Sequence, residues 1–150
     1  MPKIATNKQA AANYHLLEKM EAGVVLSGPE VKAVKQGNLN LKGSYITIDA
    51  ASEVWLINAH IAAYRPAAGH QVGYQPTQKR KLLLKKKEVD YLRGKEKERG
   101  LTILPISVYT KGSLIKLELA VARGKKQFDK RASIKKRELD RQIRRTLKKY

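Results

Sequence analysis

The sequence predicts a mainly β chain: a small antiparallel barrel with two or three α-helices and a basic C-terminal tail. Three observations carry that prediction. Short alternations of apolar and polar residues recur between turn residues. Few stretches repeat apolar residues at helical spacing. Positive charge is concentrated in two places. The 150 residues include 32 Lys/Arg and 13 Asp/Glu, a net charge of +19. Residues 79–99 hold 10 Lys/Arg against 4 Asp/Glu (+6), and residues 123–150 hold 13 against 3 (+10). The remaining 101 residues are almost neutral. We therefore divide the chain into a body, residues 1–123, and a tail, residues 124–150.

Taken in order, Tyr14 to Met20 nearly alternates and predicts a strand over 14–20, which Glu21-Ala22-Gly23 is expected to break. Val24-Val25-Leu26 resumes extended structure. Ser27-Gly28-Pro29-Glu30 is a helix start, with a capping residue, Pro in the first turn and a carboxylate on the positive end of the dipole. Gly37-Asn38 ends that helix. Residues 44–61 change to period two, with Ala50-Ala51-Ser52 turning the chain into Val54-Trp55-Leu56-Ile57. This is a hairpin, and Trp55 is expected in its core. Residues 62–78, with Pro66, Gly69, Gly73 and Pro76, read as an exposed loop.

Leu82, Leu83, Leu84, Val89 and Leu92 predict an amphipathic helix over 79–99 with a basic face. Two alternating runs, 102–109 and 114–121, flank a turn at 110–113 and give a second hairpin, and Pro105 asks for an edge or a bulge in the first run. Beyond Gly124 apolar residues are sparse: Ile134, Leu139, Ile143 and Leu147. Such a tail is expected to be disordered alone and helical, from about 132 to 149, on a polyanionic partner. Short strands in hairpins interrupted by helices suit a Greek-key barrel of the OB type.

Several chemistries find no support in the residues. Cysteine is absent, which removes disulfides and thiolate chemistry and fits a reducing compartment. His15, His60 and His70 lack metal-ligand spacing, and neither a phosphate-binding glycine loop nor a nucleophile elbow occurs. No metal, cofactor or catalytic residue is assigned. No apolar run approaches membrane length, and Met1 to Gln9 has no signal-peptide core. A cytoplasmic protein without membrane association is expected, and its strong net charge favours a monomer.

At the body–tail junction, Gly124-Lys125-Lys126-Gln127-Phe128-Asp129-Lys130-Arg131 sets one aromatic ring among four cations. A basic run of this length is ordinarily a solvated face. A ring at its centre, next to a nearly neutral body, instead suits phosphates flanking a stacked base.

The order and spacing of many residues resemble the SsrA-binding protein (SmpB) family, partners of transfer-messenger RNA. The likeness runs the length of the chain. It includes Asn7-Lys8, Ala10, Tyr14, Glu21-Ala22-Gly23, Gly28 and Glu30-Val31-Lys32. It continues through Ser44-Tyr45, Arg80-Lys81-Leu82-Leu83-Leu84, Glu88, Pro105, Tyr109, Gly124-Lys125-Lys126 and Asp129-Lys130-Arg131. The resemblance implies an OB-like barrel that binds the tRNA-like domain of that RNA, with Asn7, Lys8, Glu21, Lys81, Leu83 and Lys85 at RNA-contacting positions. It also implies a ribosomal partner, including small-subunit ribosomal RNA. Gly124, Lys125, Lys126, Phe128, Asp129, Lys130 and Arg131 would then lie in the decoding site, with Phe128 stacked on a ribosomal RNA base. Lys135, Lys136, Arg137, Arg141, Arg144 and Arg145 would lie on a tail helix in the empty mRNA channel. The chain departs from the usual pattern at Ala11, Ala12, Gln75 and Lys85. A general single-strand binder or ribosomal protein, and a nuclease built on the scattered His and carboxylates, stand as alternatives.

The charge distribution makes a quantitative prediction. If about eight phosphates are neutralised, log K for RNA binding falls with log salt at a slope of roughly −6 to −7. A salt titration by filter binding or fluorescence anisotropy checks it, and a slope near zero contradicts the charge argument.

Overall fold

The computed structural model describes residues 3–65, 72–125 and 136–145. In chain order the elements are β1 (Lys3–Thr6), α1 (Lys8–Asn13), β2 (Tyr14–Val24), α2 (Gly28–Lys35), β3 (Leu39–Asn40), β4 (Tyr45–Ile48) and β5 (Val54–Ile57). There follow β6 (His60–Ile61), β7 (Arg80–Leu83), α3 (Lys86–Lys97), β8 (Leu101–Lys111) and β9 (Leu114–Gly124). A last helix, α4, spans 136–145.

Seven strands run in the order β1-β8-β4-β5-β7-β2-β9, every neighbouring pair antiparallel, and β9 also pairs with β8. That last pairing turns a sheet into a ring. Six strands close on themselves, and β1 pairs with Ser107 to Tyr109 of β8 beyond the point where β4 meets it at Ile103, giving the OB-like barrel expected from the hairpins. Closure gives each of these six strands two neighbours, although β2 meets β7 only at Gly23 and Val24.

Alternation decides what fills the ring. Ile46, Leu56, Leu82, Ile103, Leu117, Leu119 and Val121 point inward and are almost fully buried. At the end where β4 turns into β5, α3 adds Val89 and Leu92 to the core, and Arg93 donates to the Asp49 carbonyl and the Ser52 hydroxyl at 2.8 Å each. At the opposite end α2 contributes Ala33 and Val34. Its start is the capping box anticipated from the sequence: the Ser27 hydroxyl accepts from the Glu30 amide, and the Glu30 carboxylate accepts from the Ser27 amide.

The charged centre at that end is a buried pair. Arg80 is 2% exposed and Glu30 4%. The Arg80 Nε and Nη2 both donate to Glu30 Oε2, at 3.0 and 2.8 Å, while Nη1 donates to the Ala59 carbonyl at 2.7 Å. The Tyr74 hydroxyl and the Gln78 amide also reach Glu30 Oε2, which ties the described part of the loop after β6 to the barrel. Burial pushes the Glu30 carboxyl up, but the Ser27 amide and the Arg80 guanidinium outweigh it and hold it below its ordinary value.

Four expectations need correction. The helix over 79–99 is two elements, because Arg80 to Leu83 fill the barrel gap between β5 and β2 and only residues from Lys86 onward are helical. The strand expected over 14–20 runs on to Val24, since β9 continues to pair with it through Glu21↔Glu118, Ala22↔Leu117 and Gly23↔Lys116. A supplied partner strand outweighs local breakers. Trp55 is not core: Val54 and Leu56 take the inward positions, and the indole lies half-buried on the outside. Before β2, where the sequence predicted no element, Lys3–Thr6 form β1 and Lys8–Asn13 form α1. Within 62–78, residues 72–78 are anchored, with the Ile61 amide donating to the Pro76 carbonyl. Pro105 does mark a bulge, between Pro105 and Ser107 on β8.

Arg80→Leu is expected to destabilise the protein by about 3–5 kcal/mol at neutral pH, because Glu30 would be left charged, buried and unpaired. The deficit shrinks as pH falls and Glu30 becomes neutral in the variant, while the wild type loses the contribution that its depressed carboxyl makes only above that pKa. Urea melts at two pH values check both statements.

Candidate nucleic-acid interface

The outward positions of β7 and β2 follow from the inward ones. With Arg80 and Leu82 inside, Lys81 and Leu83 point out. Register then places Trp55 opposite Lys81, Leu83 opposite Gly23, and Gly23 opposite Lys116. Gly23 leaves the backbone bare between its neighbours: a Cβ there would lie 3.5 Å from Leu83 Cβ and 3.8 Å from Lys116 Nζ. Leu83 is 54% exposed, a large apolar side chain standing in a cationic surround. This composition suits phosphate contact at the lysines and apolar contact at the leucine.

Glu21 sits two residues before Gly23 on the same outer face, opposite Glu118. Two carboxylates facing each other across a ladder repel. Tyr109 and Lys111 of β8 answer that: the Tyr109 hydroxyl donates a short hydrogen bond to Glu21 Oε2, and Lys111 Nζ lies 3.4 Å from Oε1. The Tyr109 hydrogen bond, ahead of the nearby lysines, lowers the Glu21 carboxyl below its ordinary value. Glu21 is thus an ionised, oriented acceptor at neutral pH. Tyr109 is itself pushed up by burial and by that carboxylate.

On β5, the Trp55 indole donates to Asp49 Oδ2 at 2.9 Å, and Lys79 Nζ stands 4.1 Å from the ring centroid. Lys81 pairs with Glu53 at 3.3 Å in a half-exposed contact of the kind worth little to stability. Lys85 is exposed at the N-cap of α3, its amide donating to Glu88 Oε1 at 2.9 Å. The structure therefore gathers Glu21, Lys81 and Leu83 on one surface, with Lys85 just beyond the end of β7.

Asn7 and Lys8 lie elsewhere, at the start of α1. Asn7 is 6% exposed and fully engaged: its amide donates to the Ile106 carbonyl, Nδ2 to the Pro105 carbonyl, and Oδ1 accepts from the Ala10 amide. It anchors α1 to the β8 bulge, while Lys8 is exposed. Ala10 then packs over the outer side of the barrel on Leu104, Ile106, Ala120 and Ala122. The tail leaves from this place, with Lys125 donating its amide to the Asn13 carbonyl at 2.9 Å.

Gly124 ends β9, and Lys136, Arg137, Arg141, Arg144 and Arg145 are exposed on α4. Lys126, Phe128, Asp129, Lys130, Arg131 and Lys135 lie outside the described residues. Among the described residues no cluster of His, Asp and Glu could hold a metal ion, and no helix is long and apolar enough to cross a membrane. Sequence reading missed Gly23, Lys79, Tyr109, Lys111 and Lys116 as members of the face. The strict alternation of β9 signalled that Lys116 and Glu118 point outward; the pairing that brings Tyr109 and Lys111 to Glu21 spans some 90 residues and left no local signal.

A closed antiparallel barrel with a basic, aromatic-bearing outer face and an exposed cationic helix defines the class of nucleic-acid-binding barrels. Comparison with known proteins narrows it. The family model described as "SmpB protein" matches residues 4–149, and the chain belongs to that family. An SsrA-binding protein of Sulfurihydrogenibium sp. (strain YO3AOP1) is 49% identical over 97% of this chain and 93% of its own. One of Persephonella marina (strain DSM 14350 / EX-H1) is 46% identical over 93% and 90%. A solved chain described under "tmRNA-SmpB: a journey to the center of the bacterial ribosome" is 38% identical, covers 82% of this chain and 85% of its own, and superposes with a TM-score of 0.67.

In Tyr109→Phe the Glu21 carboxyl is expected to titrate at higher pH than in the wild type, read by NMR at its side-chain carbon. An unchanged titration would show that the lysines alone depress it.

Proposed function

We propose that the chain is a non-enzymatic RNA-binding adaptor of trans-translation. It binds the tRNA-like domain of transfer-messenger RNA (SsrA) and accompanies it in the cytoplasm to stalled ribosomes. There it places its tail in the decoding site and empty mRNA channel, so that the ribosome is rescued and the nascent peptide is tagged for degradation. The observation that carries this reading is the outer face of β7 and β2. Fold and register there bring Glu21, Lys81 and Leu83 together beside Lys116, in a chain of the SmpB family. The relatives' name, SsrA-binding protein, and the solved tmRNA-SmpB structure support the two partners.

Labour divides between the two parts. The barrel, residues 1–123, recognises the RNA, with Lys81, Lys85 and Lys8 meeting phosphates and Glu21 accepting from a base or ribose donor. Asn7 acts from beneath by holding α1. The tail, residues 124–150, reads the ribosome: Gly124, Lys125, Lys126, Phe128, Asp129, Lys130 and Arg131 occupy the decoding site. Lys135, Lys136, Arg137, Arg141, Arg144 and Arg145 present charge to the channel. The chain works as a monomer and needs no cofactor.

Two measurements test the reading. In competition at about 0.15 M salt, the isolated tRNA-like domain should bind at least tenfold more tightly than a random single strand, about 1.4 kcal/mol. Equal affinities would reduce the chain to a general single-strand binder. Truncation after Arg123 should leave binding to the tRNA-like domain within a few-fold while abolishing peptide tagging on stalled ribosomes. Loss of both together would contradict the division of labour.

A further inference from the structure

Away from the Glu21–Lys81–Leu83 surface, on the side where α1 covers the barrel, a groove of about 340 Å³ opens between α1, the start of β4 and the start of β8. Five side chains give it its chemistry: Gln9 and Asn13 from α1, Tyr14 at the start of β2, Tyr45 at the start of β4, and Thr102 on β8. Tyr45 is 40% exposed, on the outward side of its strand. Tyr14 rests on the small cluster of Ala10, Leu104, Ile106, Ala120 and Ala122. Its ring is thereby fixed from below.

The polar groups of the groove are available to a ligand. Among the described residues, the Gln9 and Asn13 amides, the Tyr14 and Tyr45 hydroxyls and the Thr102 hydroxyl have no hydrogen-bond partner. The Asn7 side chain beneath them uses both of its polar ends. Two carboxamides, each a donor and an acceptor, face the same space as two aromatic rings and a hydroxyl. No carboxylate or ammonium lines the groove. That lining fits a neutral, flat, hydrogen-bonding ligand, whereas a phosphate or metal would call for charge. The groove also adjoins the root of the tail, where the Lys125 amide holds the Asn13 carbonyl and Lys125 Nζ lies 3.5 Å from the Ala11 carbonyl. A nucleotide whose base entered the groove would have its phosphate beside that cation.

We propose that this groove receives one unpaired RNA nucleotide, its base stacked on Tyr45 or Tyr14 and hydrogen-bonded by Gln9 and Asn13. The barrel then has a second, base-reading contact next to the tail. This rests on the RNA-binding reading above, and it extends that reading to residues and a ligand geometry that it does not include. Two RNAs could supply the nucleotide, the tRNA-like domain or ribosomal RNA, and the test separates them.

The experiment compares wild type, Tyr45→Ala, Tyr45→Phe and Asn13→Ala in the full chain, each first checked by thermal melt. Affinity is measured on two arms, the isolated tRNA-like domain and vacant ribosomes. Stacking of a base on an aromatic ring predicts that Tyr45→Ala weakens one arm by roughly tenfold, while Tyr45→Phe, which keeps the ring, stays within about threefold. Loss on the ribosome arm assigns the nucleotide to ribosomal RNA, and loss on the other arm assigns it to the tRNA-like domain. Wild-type affinity of both Tyr45→Ala and Asn13→Ala on both arms overturns the groove while leaving the adaptor reading intact. Failure of the wild type itself to bind either RNA would sink the adaptor reading instead.

Discussion

The buried Glu30–Arg80 pair is the constraint on which the functional face depends. Arg80 opens β7, and its guanidinium is turned into the barrel end by Glu30 Oε2, the Ala59 carbonyl and the Tyr74 hydroxyl. In a strand the direction of one side chain fixes those of all the others. With Arg80 inside, Leu82 is core and Lys81 and Leu83 are surface. A slip of one residue would bury Lys81 and Leu83 and expose Arg80 and Leu82. The same carboxylate completes the N-terminal box of α2, so one side chain joins a helix start, a strand register and a loop. Burying two charges rarely stabilises more than an apolar pair of the same size would. Here its contribution is to specify the register.

Given that register, the interface combines fixed and open groups. Glu21 is fixed: a carboxylate that would repel Glu118 is oriented by Tyr109 and Lys111 and kept ionised. Leu83 is exposed and Gly23 leaves the backbone bare beside it. Lys81 and Lys116 flank them with mobile charge. At the edge of this face Lys79 stands over Trp55, whose indole is already held by Asp49, so the ring is set before any ligand arrives. On α3, the Glu18 carboxylate of β2, with some burial, pushes the Tyr91 hydroxyl up to about 12.

How much of this was legible in the sequence depended on how local each cause was. The capping box at Ser27 and Glu30, the hairpin turning at Ser52, whose φ is +62°, and the Pro105 bulge were all readable, because their causes lie within a few residues. The stretch Arg80-Lys81-Leu82-Leu83-Leu84 was not. Its leucines fit a helical stripe with Val89 and Leu92 as well as they fit a strand, and only the neighbours β5 and β2 decide between them. Trp55 misled for the same reason: an apolar strand with both neighbours buried gives no sign of which alternate face is inside. Glu30 was legible as a cap but not as the partner of Arg80, which lies 50 residues away. Asn7 was singled out by resemblance as an RNA contact, and its part in holding α1 to the β8 bulge had no local signal. Charge, by contrast, needed no fold to be read. The barrel distributes the cations of residues 79–99 over β7 and α3, and Lys81 and Lys85 among them still stand at the surface.

The tail helix differs from the barrel in what holds it together. Every residue of α4 is exposed, including Leu139 at 56% and Ile143 at 49%. These two stand one turn apart and form a stripe too narrow to anchor a helix by burial. The arginines at 137, 141, 144 and 145 crowd the helix with like charge, which opposes it in water. A polyanion reverses that term, because each phosphate met by an arginine converts a repulsion into an attraction. A polyanionic partner is therefore expected to strengthen α4 beyond what the chain alone provides. The barrel, closed on itself and filled with aliphatic side chains, carries its own stability.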